Sequence, residues 1–154
     1  MNRKDLVDDI RIEIENLERL NKEMNDLLEK IGEKPDFVQI RAGASIVHDF
    51  YSGVEKIFER IAISIDKNLP KGEDWHKELL LQMAKPLEKI RDAVITEDLS
   101  EKLKEYLRFR HLFRHIYGFE LKWERFKELC IRLEDTLKEL KVEIEKFIDG
   151  LEKK

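Results

Sequence analysis

Between residues 110 and 117 the chain reads Arg110-His111-Leu112-Phe113-Arg114-His115-Ile116-Tyr117, with Gly118 directly after. An arginine, a histidine five residues on and a tyrosine two residues later fall within what reads as the last two turns of a helix. A guanidinium can hold the non-bridging oxygens of a phosphate bidentately and stabilise the charge that develops there. A histidine near its ordinary pKa can take a hydroxyl proton or protonate a leaving oxygen. Together they suit phosphodiester chemistry that needs no metal. Two proton transfers are required and His115 supplies one; a symmetric dimer bringing two copies together supplies the other.

At about 100° per residue, helical neighbours lie three or four apart. Tyr106, Phe109, Phe113 and Ile116 then form one stripe, read as core. Arg110, Arg114 and Tyr117 form a second, and Arg108, His111 and His115 a third beside it. Lys102, Lys104, Arg108, Arg110 and Arg114 stand against Glu101 and Glu105, a local excess of positive charge. The same residues also have a purely structural explanation, since cations favour the negative end of a helix dipole. On that account Tyr117 is a helix-end aromatic packed on Trp123. His111 and His115 have the i, i+4 spacing of zinc ligands, but two ligands do not make a site. His48-Asp49 and His76 stand isolated, and His48 and Asp49 suit either solvent or the fourth helix. Glu55, Glu59 and Arg60 read as a solvated face. No cofactor and no metal is expected: Gly-rich phosphate loop, nucleophile elbow and His-Glu-x-x-His are all missing.

The elements that position these groups read as helices throughout. Six Gly and three Pro in 154 residues leave room for long ones. In the first, about 4–31, Leu6, Ile10, Ile14, Leu17, Leu20, Met24, Leu28 and Ile31 recur at steps of three and four. Gly32 and Pro35 stop it. The second, about 36–66, carries Phe37, Ile40, Ala44, Val47, Tyr51, Val54, Phe58, Ile61 and Ile65. Its Gly43, Ala44, Ser45 and Gly53 suggest a closely approaching neighbour. Asn68-Leu69-Pro70-Lys71-Gly72 is a loop. A third runs from about Glu73 through Trp75, Leu79, Leu80 and Met83, kinks or restarts at Pro86, and continues through Leu87, Ile90 and Val94. Thr96-Glu97-Asp98 is a turn. The fourth starts near Leu99, capped by Asp98 or Ser100, and ends at Gly118 as its C′ residue. Its wide apolar set suits a bundle on one side and a second subunit on the other. The fifth spans about 121–151. Short connections between long amphipathic helices imply an all-α, up-and-down bundle of four to five helices, with residues 1–154 as one domain.

Thirty basic and 34 acidic residues give a net charge of −4, so there is no global attraction to nucleic acid or anionic membrane. The N-terminus lacks the apolar core of a signal peptide and no run approaches a bilayer span, so a cytoplasmic location and no membrane partner are expected. The single cysteine, Cys130, reads as a small buried hydrophobe.

Arg110-x4-His115-x-Tyr117 resembles the Arg-x4–6-His motif of the HEPN superfamily, in the Arg-x4-His-x-Tyr form of HepT-like toxins. The block from Arg108 to Leu121, the stretch from Val47 to Ala62 and the later Gly72-Glu73-Asp74-Trp75-His76 are also similar to that branch, so the resemblance covers roughly residues 4–150. It implies a HEPN-like bundle that dimerises through the motif helices, with arginine and histidine from both subunits lining a cleft that cuts RNA without metal. Arg110 would hold the phosphate and His115 would be the acid/base, with His111, Arg114 and Arg108 as auxiliaries. It further implies a toxin–antitoxin pair in which an MNT-type nucleotidyltransferase silences the toxin by adding AMP to Tyr117. The added charge and bulk would block the RNA backbone beside Arg110. Many members carry Asn or Asp directly after the arginine; His111 stands here. The alternative is a catalytically silent helical module that is a binding partner or modification substrate of such a nucleotidyltransferase.

Overall fold

The computed structural model describes residues 2–153, which hold five α-helices and no strand: α1 (Arg3–Lys30), α2 (Phe37–Ile61), α3 (Trp75–Met83), α4 (Glu97–Phe113) and α5 (Trp123–Glu152). Side-chain oxygens near three helix starts take up orphan backbone donors. Asn2 accepts from Asp5, Asp36 and Gln39 form a reciprocal capping box, and Thr96 accepts from Leu99. Thr96 thus caps α4, two to four residues before the caps expected from the sequence. Glu143 of α5 fixes it there by accepting the Thr96 N–H and hydroxyl at 2.6 and 3.1 Å.

Cross-helix pairs set the topology. Arg60 meets Asp9, and Gly53 faces Leu17, so α2 runs antiparallel to α1. Lys141 meets Glu18 while Glu134 accepts from Asn25, so α5 also runs antiparallel to α1. His48 meets Phe113 and Phe50 meets Tyr106, which makes α4 antiparallel to α2. Lys102 meets Glu139 and Phe109 meets Phe126, which makes α4 antiparallel to α5. The four long helices therefore form an up-and-down ring, α1–α2–α4–α5, and α3 packs across α2 and α4. One continuous core fills the ring, with Leu17, Phe50, Phe58, Leu103, Phe126 and Leu140 fully or almost fully buried. No helix among the described residues is long and apolar enough to cross a membrane.

The small residues of α2 have the close neighbours their size suggests. A Cβ on Gly53 would lie 2.7 Å from Leu17 Cδ2 in the core. Gly53→Val should therefore cost about 1–3 kcal/mol through overpacking and lower Tm in thermal unfolding. Gly32→Ala, which meets nothing within 4 Å, should leave Tm almost unchanged. Equal Tm values for the two variants would refute this packing account. Cys130 is buried as expected, and burial pushes its thiol up to about 12.

Two stretches differ from the sequence reading. α3 ends at Met83 and no helix resumes after Pro86. Residues 84–96 instead form an irregular connector with a tight Leu87–Arg91 turn and a left-handed Lys89, φ 66°. The buried Arg91 holds it, donating to the carbonyls of Lys85, Asp92 and Gln82 and pairing with Asp66 at 2.6 and 2.8 Å. Asp66 closes the π-helical turn Ala62–Asp66 that ends α2. The second difference is the end of α4. The helix stops at Phe113, with Arg114 as its cap residue, and Gly118 opens a short 3-10 turn rather than terminating the helix.

Candidate active site

On α2, His48, Ser52, Glu55 and Glu59 recur at helical spacing as a polar stripe beside the apolar one. α4 turns Arg110 onto this stripe. Its Nε donates to Ser52 Oγ at 3.1 Å, and its Nη2 lies 3.9 Å from Glu55 Oε1. From the start of α3, His76 completes the cluster. Its Nδ1 lies 2.7 Å from Glu55 Oε2 and 3.4 Å from Arg110 Nη1. Glu55 is buried, not part of a solvated face, and the Arg110 side chain is only 12% exposed. A buried carboxylate needs partners to offset its desolvation, and Arg110 and His76 are those partners. The charge of Glu55 reaches further. It adds to burial, the larger cause, in holding the Tyr51 phenol and the Glu59 carboxyl above their usual ranges.

Arg110 retains N–H donors beyond those used on Ser52 and Glu55, because a guanidinium carries five in a fixed fork. They border an open groove of about 720 Å³ between the start of α3 and the last turns of α4. Its walls carry Arg108, Arg110, His111, Arg114 and His115 from the motif region, together with His76, Lys77, Lys104, Glu73 and Asp74. The groove is basic, though less so than a count of side chains suggests. Lys104 pairs with Glu101 and Arg108 with Glu105, while Lys102 turns away to Glu139 and Asp98. Arg114 is exposed and makes no ion pair among the described residues.

The structure thus brings Arg108, Arg110, His111, Arg114 and His115 to one groove. His111 lies in the last turn of α4, and His115 lies just beyond the helix in a turn where its N–H donates to Leu112 O. Their rings sit 4.5 Å apart, tilted 57°, both exposed. Tyr117 lies outside the groove on extended backbone. Glu120 accepts its N–H at 2.8 Å, and its ring stacks on Phe119 at 5.2 Å rather than on Trp123, which packs edge-on against Phe126. Tyr117 is 71% exposed. His48 stays out of the groove, with its ring 5.1 Å from Phe113 and its Nδ1 on Asp49. The second apolar face expected on α4 is thin: Leu112 is exposed and Leu107 half-buried.

Sequence reasoning missed Ser52, Glu55 and His76. The stripe at 48, 52, 55 and 59 was the available signal for the first two. The stretch 72–76 carried part of the family resemblance, but nothing in it assigned a role to His76, which lies 34 residues from Arg110.

Neither a curated protein nor a solved structure matches the chain. A family model described as HepT-like protein matches residues 42–151. That range begins in α2 ahead of Ser52, ends in α5, and so contains every residue of the groove. By this match over most of its length the chain belongs to the HepT-like family.

Proposed function

We propose that this protein is a metal-independent endoribonuclease acting as a homodimer, the toxin of a pair whose MNT-type nucleotidyltransferase silences it. Arg110 holds the scissile phosphate, His115 transfers a proton, and His111, Arg114 and Arg108 assist through charge and hydrogen bonding. The observation that carries this reading is the groove itself. A guanidinium with its position fixed by Ser52, Glu55 and His76 faces a channel that exposes two histidines and several cations. Preorganised donors of this kind are worth most to a charge that develops only in the transition state. Local cations must supply the affinity for RNA, because the chain as a whole is acidic.

Tyr117 fits the role of the silencing site. Its exposed hydroxyl is open to a partner enzyme, which would join it to the α-phosphate of ATP and release pyrophosphate. The product would place a phosphodiester anion and an adenosine two residues from His115 in the chain.

The purified protein, incubated in EDTA with a structured RNA, is expected to generate fragments ending in 2′,3′-cyclic phosphate. A second reading is favoured by the contact between Arg110 and Glu55, which already partly neutralises the guanidinium. In it the chain is a catalytically silent module whose Tyr117 is modified. RNA left intact by the unmodified dimer, with Tyr117 accepting AMP from the nucleotidyltransferase, would replace the first reading by the second.

A further inference from the structure

Cleavage of RNA by its own 2′-hydroxyl needs two proton transfers, one from the 2′-oxygen and one to the departing 5′-oxygen. The groove of a single subunit contains an imidazole outside the motif that is built for one of them. His76 Nδ1 lies 2.7 Å from the buried Glu55 carboxylate. A carboxylate so close takes the Nδ1 hydrogen, which leaves the lone pair on Nε2. Trp75 stacks on the ring at 3.7 Å and limits its rotation. Arg110 Nη1 lies 3.4 Å from the same Nδ1, a longer contact than the carboxylate's, and Arg110 and His76 line one groove in which a phosphate held by the guanidinium would meet the imidazole. A carboxylate behind an imidazole both orients it and stabilises the imidazolium that forms when it takes up a proton.

The geometry points to His76 as the general base of the reaction, oriented by Glu55, with His115 as the acid in the same subunit. This rests on the nuclease reading above and deepens it. His76 Nε2 takes the 2′-hydroxyl proton, and the 2′-oxygen forms its bond to phosphorus. The bond from phosphorus to the 5′-oxygen breaks, and His115 protonates that oxygen. The products are a 2′,3′-cyclic phosphate and a 5′-hydroxyl end. Glu55 is a positioning residue that touches the imidazole and Arg110 but not the substrate. The charged groups facing His76 are Glu55 and Glu59 of α2 and Arg110 of α4.

The test compares wild type, His76→Ala, Glu55→Gln and His115→Ala in EDTA on two substrates. One is an RNA oligonucleotide; the other is uridine 3′-(4-nitrophenyl phosphate), whose leaving group needs no proton. On RNA, His76→Ala and His115→Ala should each lose at least about 100-fold. On the nitrophenyl ester, His115→Ala should approach wild type while His76→Ala stays slow, and added imidazole should restore part of the His76→Ala rate. Glu55→Gln should displace the limb of the pH–rate profile that disappears in His76→Ala. His76→Ala cutting RNA like wild type, while His115→Ala does not, overturns the role of His76 and leaves the nuclease reading standing. Recovery of His76→Ala on the nitrophenyl ester also overturns it, as does a lowered Tm with no response to imidazole. Wild type inert on both substrates overturns the nuclease reading and this inference together.

Discussion

His115→Ala is expected to lower metal-free RNA cleavage by about 10²–10⁴-fold, the range for losing a positioned acid or base, with helicity and Tm unchanged. The side chain is exposed, sits past the end of α4, and its ring meets that of His111. Arg110→Ala should cost about 10²–10³-fold, as for a lost donor to a developing oxyanion, but with a different signature. It also removes a partner of the buried Glu55, so Tm should fall as well. His111→Ala, measured alongside, apportions proton transfer between the two neighbouring rings. Equal cleavage by wild type and His115→Ala would refute the assignment.

The largest effect on stability is expected where the π-helical end of α2 meets the irregular connector. Arg91 and Asp66 have side chains 1% and 0% exposed, joined through two nitrogens to two oxygens. Asp66→Ala leaves the guanidinium buried without its counter-charge and should cost about 3–5 kcal/mol. Tm should fall by about 2–4 °C for each kcal/mol in a chain of this size. The double variant Asp66→Ala with Arg91→Met should recover part of the loss, because it removes the unpaired charge. Urea and thermal unfolding of the three proteins checks this. A loss below about 1 kcal/mol for Asp66→Ala would mean that the connector is held by something other than this pair.

The architecture was legible because it is written in local patterns. The stripes of α1, α2 and α5, and the break at Gly32 and Pro35, need nothing but neighbours in sequence to be seen. The connector was not legible for the same reason. Leu87, Ile90 and Val94 carry helical spacing, yet the chain is bent by Arg91, whose side chain takes over carbonyls and finds a carboxylate 25 residues away. Gly118 misled in a similar way. It does not take the left-handed conformation of a helix stop. A Cβ there would lie 2.6 Å from Cζ of Arg41, the flexible end of an exposed side chain that can shift aside. Half of the site was likewise readable. Arg110, His111 and His115 belong to one short phrase. Ser52 and Glu55, on a helix that pairs with α4 only in the folded chain, and His76, on an intervening element, are joined to them by tertiary packing alone.

The stop of α4 at Phe113 falls between the arginine and the histidine of the motif. Within a helix, each inserted residue would rotate everything beyond it by about 100°. Beyond Phe113 that rule lapses. An extra residue there is taken up as slack in the turn, while Arg110 keeps its aim on Ser52 and Glu55. The stretch from Arg114 to His115 is then a tether of adjustable length, which can be lengthened or shortened without turning Arg110 off Ser52 and Glu55.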